Sequence, residues 1–204
     1  MQKLPTATEG QPRRSRRRQR IRCFITASLL LISGVLLSVF IIWLVVKAAP
    51  LEYTVEDASI NSFNLSSDGE LNSTFHLKLM ADNRNQKVSV YYDSLKVIVY
   101  YEDQLLATSK LGSFHQPSRN ATPIVVNPTA RVVQVNGSAV EDLRMDRSQG
   151  KVDLEVVVLA RIRFKVAAIM SKHYTLKATC SPITVFFSPA AGSQFQRSFC
   201  QVDI

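Results

Sequence analysis

Residues 150–166 read GKVDLEVVVLARIRFKV, and the spacing of the apolar side chains in this run decides the fold class. Val152, Leu154, Val156, Val158, Ala160, Ile162 and Phe164 alternate with Asp153, Glu155, Arg161 and Arg163. Successive side chains of an extended chain point to opposite faces, so a period of two over this length predicts a half-buried antiparallel strand. The same alternation returns at Leu71, Ser73, Phe75, Leu77, Leu79 and Ala81, at Leu95, Val97, Val99 and Tyr101, and at Tyr174, Leu176 and Ala178. Shorter strand candidates lie at 53–60, 104–109, 122–135 and 183–187. Turn signals separate them at Ser67-Asp68-Gly69, Gln116-Pro117, Asn136-Gly137 and Gln149-Gly150. A single short helix is predicted over Ala139–Arg147, with Ser138 as its cap and Glu141 as the capping-box partner. About seven or eight strands in this length predict a mainly β domain, an antiparallel β-sandwich of fibronectin-like or immunoglobulin-like type, with a barrel as the alternative. Phe63, Phe75, Tyr101, Phe164 and Tyr174 are the expected core aromatics.

Upstream of the strands the composition changes. Residues 23–46, CFITASLLLISGVLLSVFIIWLVV, carry no charge. As a helix this stretch is about 36 Å long, enough to cross a hydrocarbon layer of about 30 Å. Trp43 stands near its C-terminal end, where an amphipathic ring favours the interface, and Pro50 stops helix propagation. A cleaved signal peptide would have a shorter apolar region and a better-placed pair of small residues than Ala48-Ala49 offers. The chain therefore divides into a basic tail at 1–22, a transmembrane helix at 23–46 and an extracytoplasmic domain at 47–204.

The formal net charge of +9 is unevenly spread. Lys3, Arg13, Arg14, Arg16, Arg17, Arg18, Arg20 and Arg22 stand against Glu9 alone, so the folded part is nearly neutral and the case for a nucleic-acid partner weakens. The arginines before the helix, set against Glu52, Glu56 and Asp57 after it, place the N-terminus in the cytosol by the positive-inside rule, a type II topology. Arg13, Arg14, Arg16, Arg17, Arg18, Arg20 and Arg22 then face anionic lipid of the inner leaflet, each worth about 1 kcal/mol at that surface. An arginine-based sorting signal is the alternative use of the same run. Cys23, at the cytosolic edge, is a candidate palmitoylation site or a lone thiol in the helix.

Four N-x-[ST] acceptors occur, at Asn64, Asn72, Asn120 and Asn136, and all lie beyond the helix. They are consistent with a lumenal domain bearing N-linked sugar. Pro123, directly after Asn120-Ala-Thr122, lowers the expected occupancy there, and Asn72 lies in a predicted strand, so its modification requires it to face outward. Cys180 and Cys200 are the two cysteines on that side; in an oxidising space the simplest pairing is with each other, against free thiols or an intermolecular bridge.

The segment ADNRNQKVSVYYDSLKVIVYY at 81–101, with its Asn83-Arg84-Asn85 and Tyr91-Tyr92-Asp93, resembles the plant late-embryogenesis-abundant, hydroxyproline-rich glycoprotein family, whose membrane-anchored members are the harpin-induced-like proteins. The family pattern has Asn-Pro-Asn where this chain has Arg84 between the asparagines. The glycine-led run at 150–166 and HYTLKATC at 173–180 with Cys200 resemble its later strands and cysteine pair, so the resemblance spans residues 10–204. It implies a fibronectin-like β-sandwich at the plasma membrane, linked to pathogen defence and abiotic stress, acting through protein partners of unstated identity. Self-association through the helix is a further expectation. An adhesion module between membrane and cell wall is the alternative.

No catalytic constellation is legible. His76, His115 and His173 are far apart in sequence, there is no G-x-S-x-G, no HExxH and no phosphate-binding glycine loop, and neither cofactor nor metal is expected. Tyr91-Tyr92 and Tyr100-Tyr101 suit either an exposed aromatic patch or core and cross-strand packing.

Overall fold

The computed structural model describes residues 13–46, 49–187 and 195–204. The chain forms two compact units, Met1–Lys47 and Ala48–Ile204.

The first unit holds one helix, α1 (Arg13–Val46), whose 34 residues extend about 51 Å. The helix starts ahead of the apolar run expected at 23–46 and takes in the arginines from Arg13 onward, so this basic stretch is helical rather than a separate tail. Residues 1–12, with Lys3 and Glu9, and Lys47 lie outside the described residues, as do the side chains of Arg13 to Arg20 and of Trp43. From Phe24 to Phe40 every side chain is exposed, and the stretch Arg22–Phe40 is long and apolar enough to cross a membrane. Three of its hydroxyls bond back to the helix: Thr26 Oγ1 donates to the Cys23 carbonyl, Ser33 Oγ to Leu30 and Ser38 Oγ to Gly34, over 2.8–3.0 Å. Such back-bonding lets serine and threonine sit in an apolar medium without an unmet donor.

The second unit is antiparallel β. Its strands are β1 (Glu52–Leu65), β2 (Glu70–Asn83), β3 (Val88–Tyr101), β4 (Gln104–Leu111), β5 (Phe114–Gln116), β6 (Asn120–Val126), β7 (Thr129–Gln134), β8 (Lys151–Val166), β9 (Ile169–Met170), β10 (Tyr174–Phe186), β11 (Ser198–Phe199) and β12 (Gln201–Asp203). A helix, α2 (Ala139–Gln149), links β7 to β8. The sheet runs β11-β1-β2-β7-β4-β3-β8-β10-β12 and folds over on itself, so that one layer of β1, β2, β6 and β7 faces another of β3, β4, β5, β8 and β10 across a common core. Both side edges are joined. On one, a single bridge pairs Thr108 with Thr129; on the other, β11 pairs β1 while the adjoining β12 pairs β10. The expected sandwich is thus closed along its seams in the manner of the alternative, a barrel.

The alternating residues read from the sequence do line the core. Leu71, Ser73, Phe75, Leu77, Leu79 and Ala81 are buried, as are Val152 to Ile162 on the even positions. Among the expected core aromatics, Phe75 and Tyr101 are buried, while Phe63, Phe164 and Tyr174 pack against the core edge. Two more, Tyr53 and Tyr92, are the largest fully buried side chains. The run expected as one strand at 122–135 is two, β6 and β7, interrupted at Asn127-Pro128, where the Pro128 carbonyl accepts the Phe75 N–H. The candidate at 183–187 is the continuation of β10 beyond a bulge at Ser181-Pro182. Bulges also break β1 after Val55 and β3 after Tyr92. Each extra residue reverses which parity points inward, so the core passes from Tyr92 to Leu95 and from Cys180 to Ile183.

The helix forms where expected, but the capping box does not. Ser138 lies in the right-handed helical region with no side-chain cap bond, and Glu141 pairs instead with Arg144. Arg144 Nη2 also donates to the Ser66 and Ser67 carbonyls, tying α2 to the β1–β2 turn. In that turn Gly69 has φ +84° and lies so close to the Val135 carbonyl that a Cβ would sit 2.8 Å away.

Cys180 and Cys200 are bonded to each other, a separation of 20 residues, which settles the choice among the three thiol arrangements. The bond holds the short β11–β12 segment in the seam between β1 and β10. Replacing both cysteines by alanine is expected to lower unfolding stability by about 3 kcal/mol, measured by urea unfolding of the detergent-solubilised chain with far-ultraviolet circular dichroism. Reduction of the unaltered protein should reproduce most of that loss.

Candidate functional site

The motif residues Asn83, Asn85, Tyr91, Tyr92 and Asp93 converge at one end of the β unit, and the structure separates them into an interior group and a surface group.

Asn83 is fully buried at the end of β2. Its Nδ2 donates to the carbonyls of Val88 and Pro117, both at 2.9 Å, and its Oδ1 accepts from the backbone and side-chain nitrogens of Asn85. Asn85, 5% exposed, closes a two-bond ring with one residue: Nδ2 donates to the Ala49 carbonyl at 2.9 Å and Oδ1 accepts the Ala49 N–H at 2.6 Å. A side-chain amide has one acceptor and two donors, so it can imitate a neighbouring strand for a single residue. Gln116, also fully buried, donates to the carbonyls of Ala81 and Asn120 and accepts at Oε1 from the Tyr92 hydroxyl. Tyr53 in turn donates to the Tyr92 oxygen at 2.7 Å, crossing the interior from β1 to β3. Among the described residues no buried side-chain polar atom lacks a partner.

Burial raises both phenols: Tyr92 is pushed up to about 12, and Tyr53 stands well above its ordinary value, with the adjacent Tyr92 adding to the effect. The aromatic pair Tyr91-Tyr92 is therefore split by the strand, Tyr92 inward and stacked on Phe114 at 4.3 Å, Tyr91 outward and beside His115 at 4.3 Å. The second pair splits likewise, with Tyr101 buried and its hydroxyl donating to Asp146 on α2.

Asp93 is the extra residue of the β3 bulge. The bulge turns its carboxylate toward β8, where Arg163 donates from both Nε and Nη2, and His173 Nε2 lies 3.2 Å away. The Arg163 hydrogen bond is the main reason that the Asp93 carboxyl is held below its usual range, with the charges of Arg163, His173 and Arg161 adding to it. Lys165 lies over the outward Tyr91 ring at 5.8 Å. His173 and His115 thus belong to one charged and aromatic face, while His76 is elsewhere, bonded to Asn127. Among the described residues no cluster of three metal-binding side chains exists. Arg84, where the family pattern has proline, is exposed and paired with Glu52 and Asp82. The substitution thus falls on the one residue of the triplet that the interior network does not use.

The four acceptor asparagines are all exposed. Asn64 and Asn72 are cross-strand partners on β1 and β2 beside the Gly69 turn, and Asn136 follows Val135, whose N–H donates to the Gly69 carbonyl. Asn120 is at the opposite end, facing Asn83. Cys23 is exposed on α1 with a free thiol.

A family model described as late embryogenesis abundant protein matches residues 78–180, the span that contains the motif, the buried amides and β8. The chain belongs to the late embryogenesis abundant family. An uncharacterised Arabidopsis thaliana protein, At1g08160, is 31% identical over 91% of this chain and 85% of its own length. NDR1/HIN1-like proteins 12 and 2 of the same plant are 26% and 28% identical, covering 78% and 80% of this chain and 76% and 70% of theirs. The resemblance drawn from Asn83, Asn85 and Tyr91-Tyr92-Asp93 therefore holds. For this member of the family the motif describes how the domain is built more than what it binds, since three of its five residues are buried.

What the sequence did not disclose is Gln116, which completes the network from an isolated position between Phe114-His115 and Pro117. Its only signal is a polar residue at an inward strand parity.

Two measurements test this arrangement. Asn85→Ala leaves both Ala49 backbone groups and part of Asn83 unpaired, and is expected to cost about 2–4 kcal/mol, whereas Arg84→Ala, which loses only exposed ion pairs, should stay within about 1 kcal/mol. The pH dependence has a definite sign. A phenol with its folded value raised from 10.0 to about 12 contributes stability that is complete below pH 10 and is lost as pH climbs toward 12. The urea midpoint should fall across that window, and Tyr92→Phe should flatten the fall while lowering the midpoint at neutral pH.

Proposed function

We propose that this chain is a single-pass type II glycoprotein of the plant plasma membrane that serves defence or abiotic-stress responses through protein contacts of its extracytoplasmic β domain, without catalysis. One observation carries the reading: seven arginines precede the apolar helix within residues 13–22, while all four sugar acceptors and the bonded cysteine pair follow it. Charge asymmetry of this kind orients a helix, and N-linked sugar and disulfides form on the far side. The relatives named NDR1/HIN1-like support the link to defence. Because Asn83, Asn85 and Tyr92 are used inside the domain, partner contacts fall to the exposed face around Tyr91, Arg163, Lys165 and His173 and to the other outer strands.

The test combines three treatments of full-length protein in sealed plant microsomes. Alkaline carbonate should leave the chain in the membrane pellet. External protease should remove the N-terminal arginines and spare residues 50–204. A peptide N-glycosidase should lower the apparent mass by steps that disappear one at a time in Asn64→Gln, Asn72→Gln and Asn136→Gln variants, with Asn120→Gln giving the smallest change. Extraction by carbonate, or a complete lack of sugar, would refute the proposal.

A further inference from the structure

The turn between β8 and β9 contradicts every local preference of the chain. It is a two-residue hairpin loop, Ala167-Ala168, closed by the pairs Val166↔Ile169 and Lys165↔Met170. Ala167 has φ +51°. Loops of this kind favour Asn-Gly or Asp-Gly, which tolerate positive φ and meet water with polar atoms. Here the sequence is Ala-Ala-Ile-Met, all four residues are exposed, and Ile169 is 76% exposed, the largest value for a large apolar side chain among the described residues of the β domain. A strained, uncovered, wholly apolar tip has no explanation within the fold.

Its surroundings are cationic. Lys165 and Lys172 flank it on the hairpin itself, and Val166 pairs with Val88, which brings Lys87 alongside. Arg119 is held at the same end by its N–H bond to the Asn85 carbonyl. The carboxylates there, Glu52 and Asp82, are already engaged by Arg84. An apolar tip ringed by lysine and arginine is complementary to the interface of a bilayer, where apolar groups enter the acyl boundary and basic groups meet phosphate. Two facts about the domain agree. This is the end at which the chain joins it, since Asn85 clasps Ala49. Three of the four acceptor asparagines lie at the other end, about 36 Å away along β2.

We infer that the Ala167–Met170 hairpin tip inserts into the lipid interface of the leaflet that the β domain faces, giving the domain a second attachment besides its helix. The inference rests on the anchored reading above, and its test separates the two. Full-length protein carrying Trp43→Phe and Ile169→Trp is reconstituted into phosphatidylcholine vesicles, with and without phosphatidylserine, whose acyl chains are brominated. A Trp43→Phe, Val132→Trp protein serves as the reference, because Val132 is exposed and apolar at the far end. Brominated lipid should quench the Ile169→Trp reporter about twofold or more and leave the reference bright, and acrylamide should show the reverse order. Moving the reporter to Met170→Trp in an Ala167→Asn, Ala168→Gly, Ile169→Gln background, which creates no new sugar acceptor, should abolish lipid quenching while the thermal midpoint holds or rises, since the relaxed turn removes strain. Equal acrylamide access at both reporters, in protein that floats with vesicles after carbonate, overturns the inference and leaves the anchor standing. Protein that fails to float overturns both. Shielding that grows with protein density without quenching by brominated lipid assigns the tip to a second copy of the chain and overturns the lipid reading.

Discussion

The side-chain amide of Asn85 bonds both backbone groups of Ala49, and the register of the β domain follows from that ring. From it a continuous set of hydrogen bonds leads through Asn83 to the Val88 and Pro117 carbonyls. On the other side of Pro117, Gln116 reaches Ala81, Asn120 and Tyr92, and Tyr92 reaches Tyr53. The Tyr53 carbonyl then accepts the N–H of Cys200, whose disulfide returns to β10. One polar circuit thus touches the first strand, the central hairpin, the loop before β6 and the C-terminal seam. In an interior of low dielectric such a circuit is strong when complete and costly when one member is missing.

That circuit also explains how much was legible in the sequence. Apolar periodicity identifies strands because it reports a face, and the even positions of 152–162 and the odd positions of 71–81 face the core as read. Periodicity fails where an extra residue shifts the count. The bulge at Asp93 and the Ser181-Pro182 step each reverse the parity, so a reading from either side of the break is locally correct and globally discontinuous. The buried amides were legible only as a family pattern. Composition alone treats asparagine and glutamine as surface residues, and nothing local says that Gln116 meets Ala81 and Tyr92, both distant in sequence. The capping box at Ser138 was a sound local expectation that lost to a tertiary one. Arg144 is occupied with Ser66 and Ser67, and it draws Glu141 to itself.

The two ends of the domain are chemically unlike. At one, Asn64, Asn72 and Asn136 gather around the Gly69 turn, a tight hairpin with hydrophilic surroundings. At the other, the Asn85 ring, Arg84, Lys87 and the apolar β8–β9 tip lie together around the first residues of the domain. Along β2 the residues at these two ends, Asn72 and Asn83, lie about 36 Å apart. Each seam is short, one bridge at Thr108–Thr129 on one side and the β11–β12 segment on the other, so the edges of the sheet are blunted by closure at those points. Its long faces remain available for partners while each end carries its own chemistry.

Asparagine, not leucine, suits the start of such a domain because of the cost of slippage. Hydrophobic contacts are non-directional, and a strand drawn in by them alone can dock one residue out of step. Here Leu51, Tyr53 and Val55 point inward, with Glu52, Thr54 and Glu56 between them. A shift by one would place two carboxylates in the core and turn Tyr53 away from Tyr92. The Asn85 amide accepts one N–H and donates to one carbonyl of a single residue, so it fixes the count at Ala49 before β1 begins. Glu52 is then left at the surface, where Arg84, on the neighbouring residue of the same loop, pairs with it. The interior amide selects the register, and the exposed arginine beside it meets the charge which that register leaves outside.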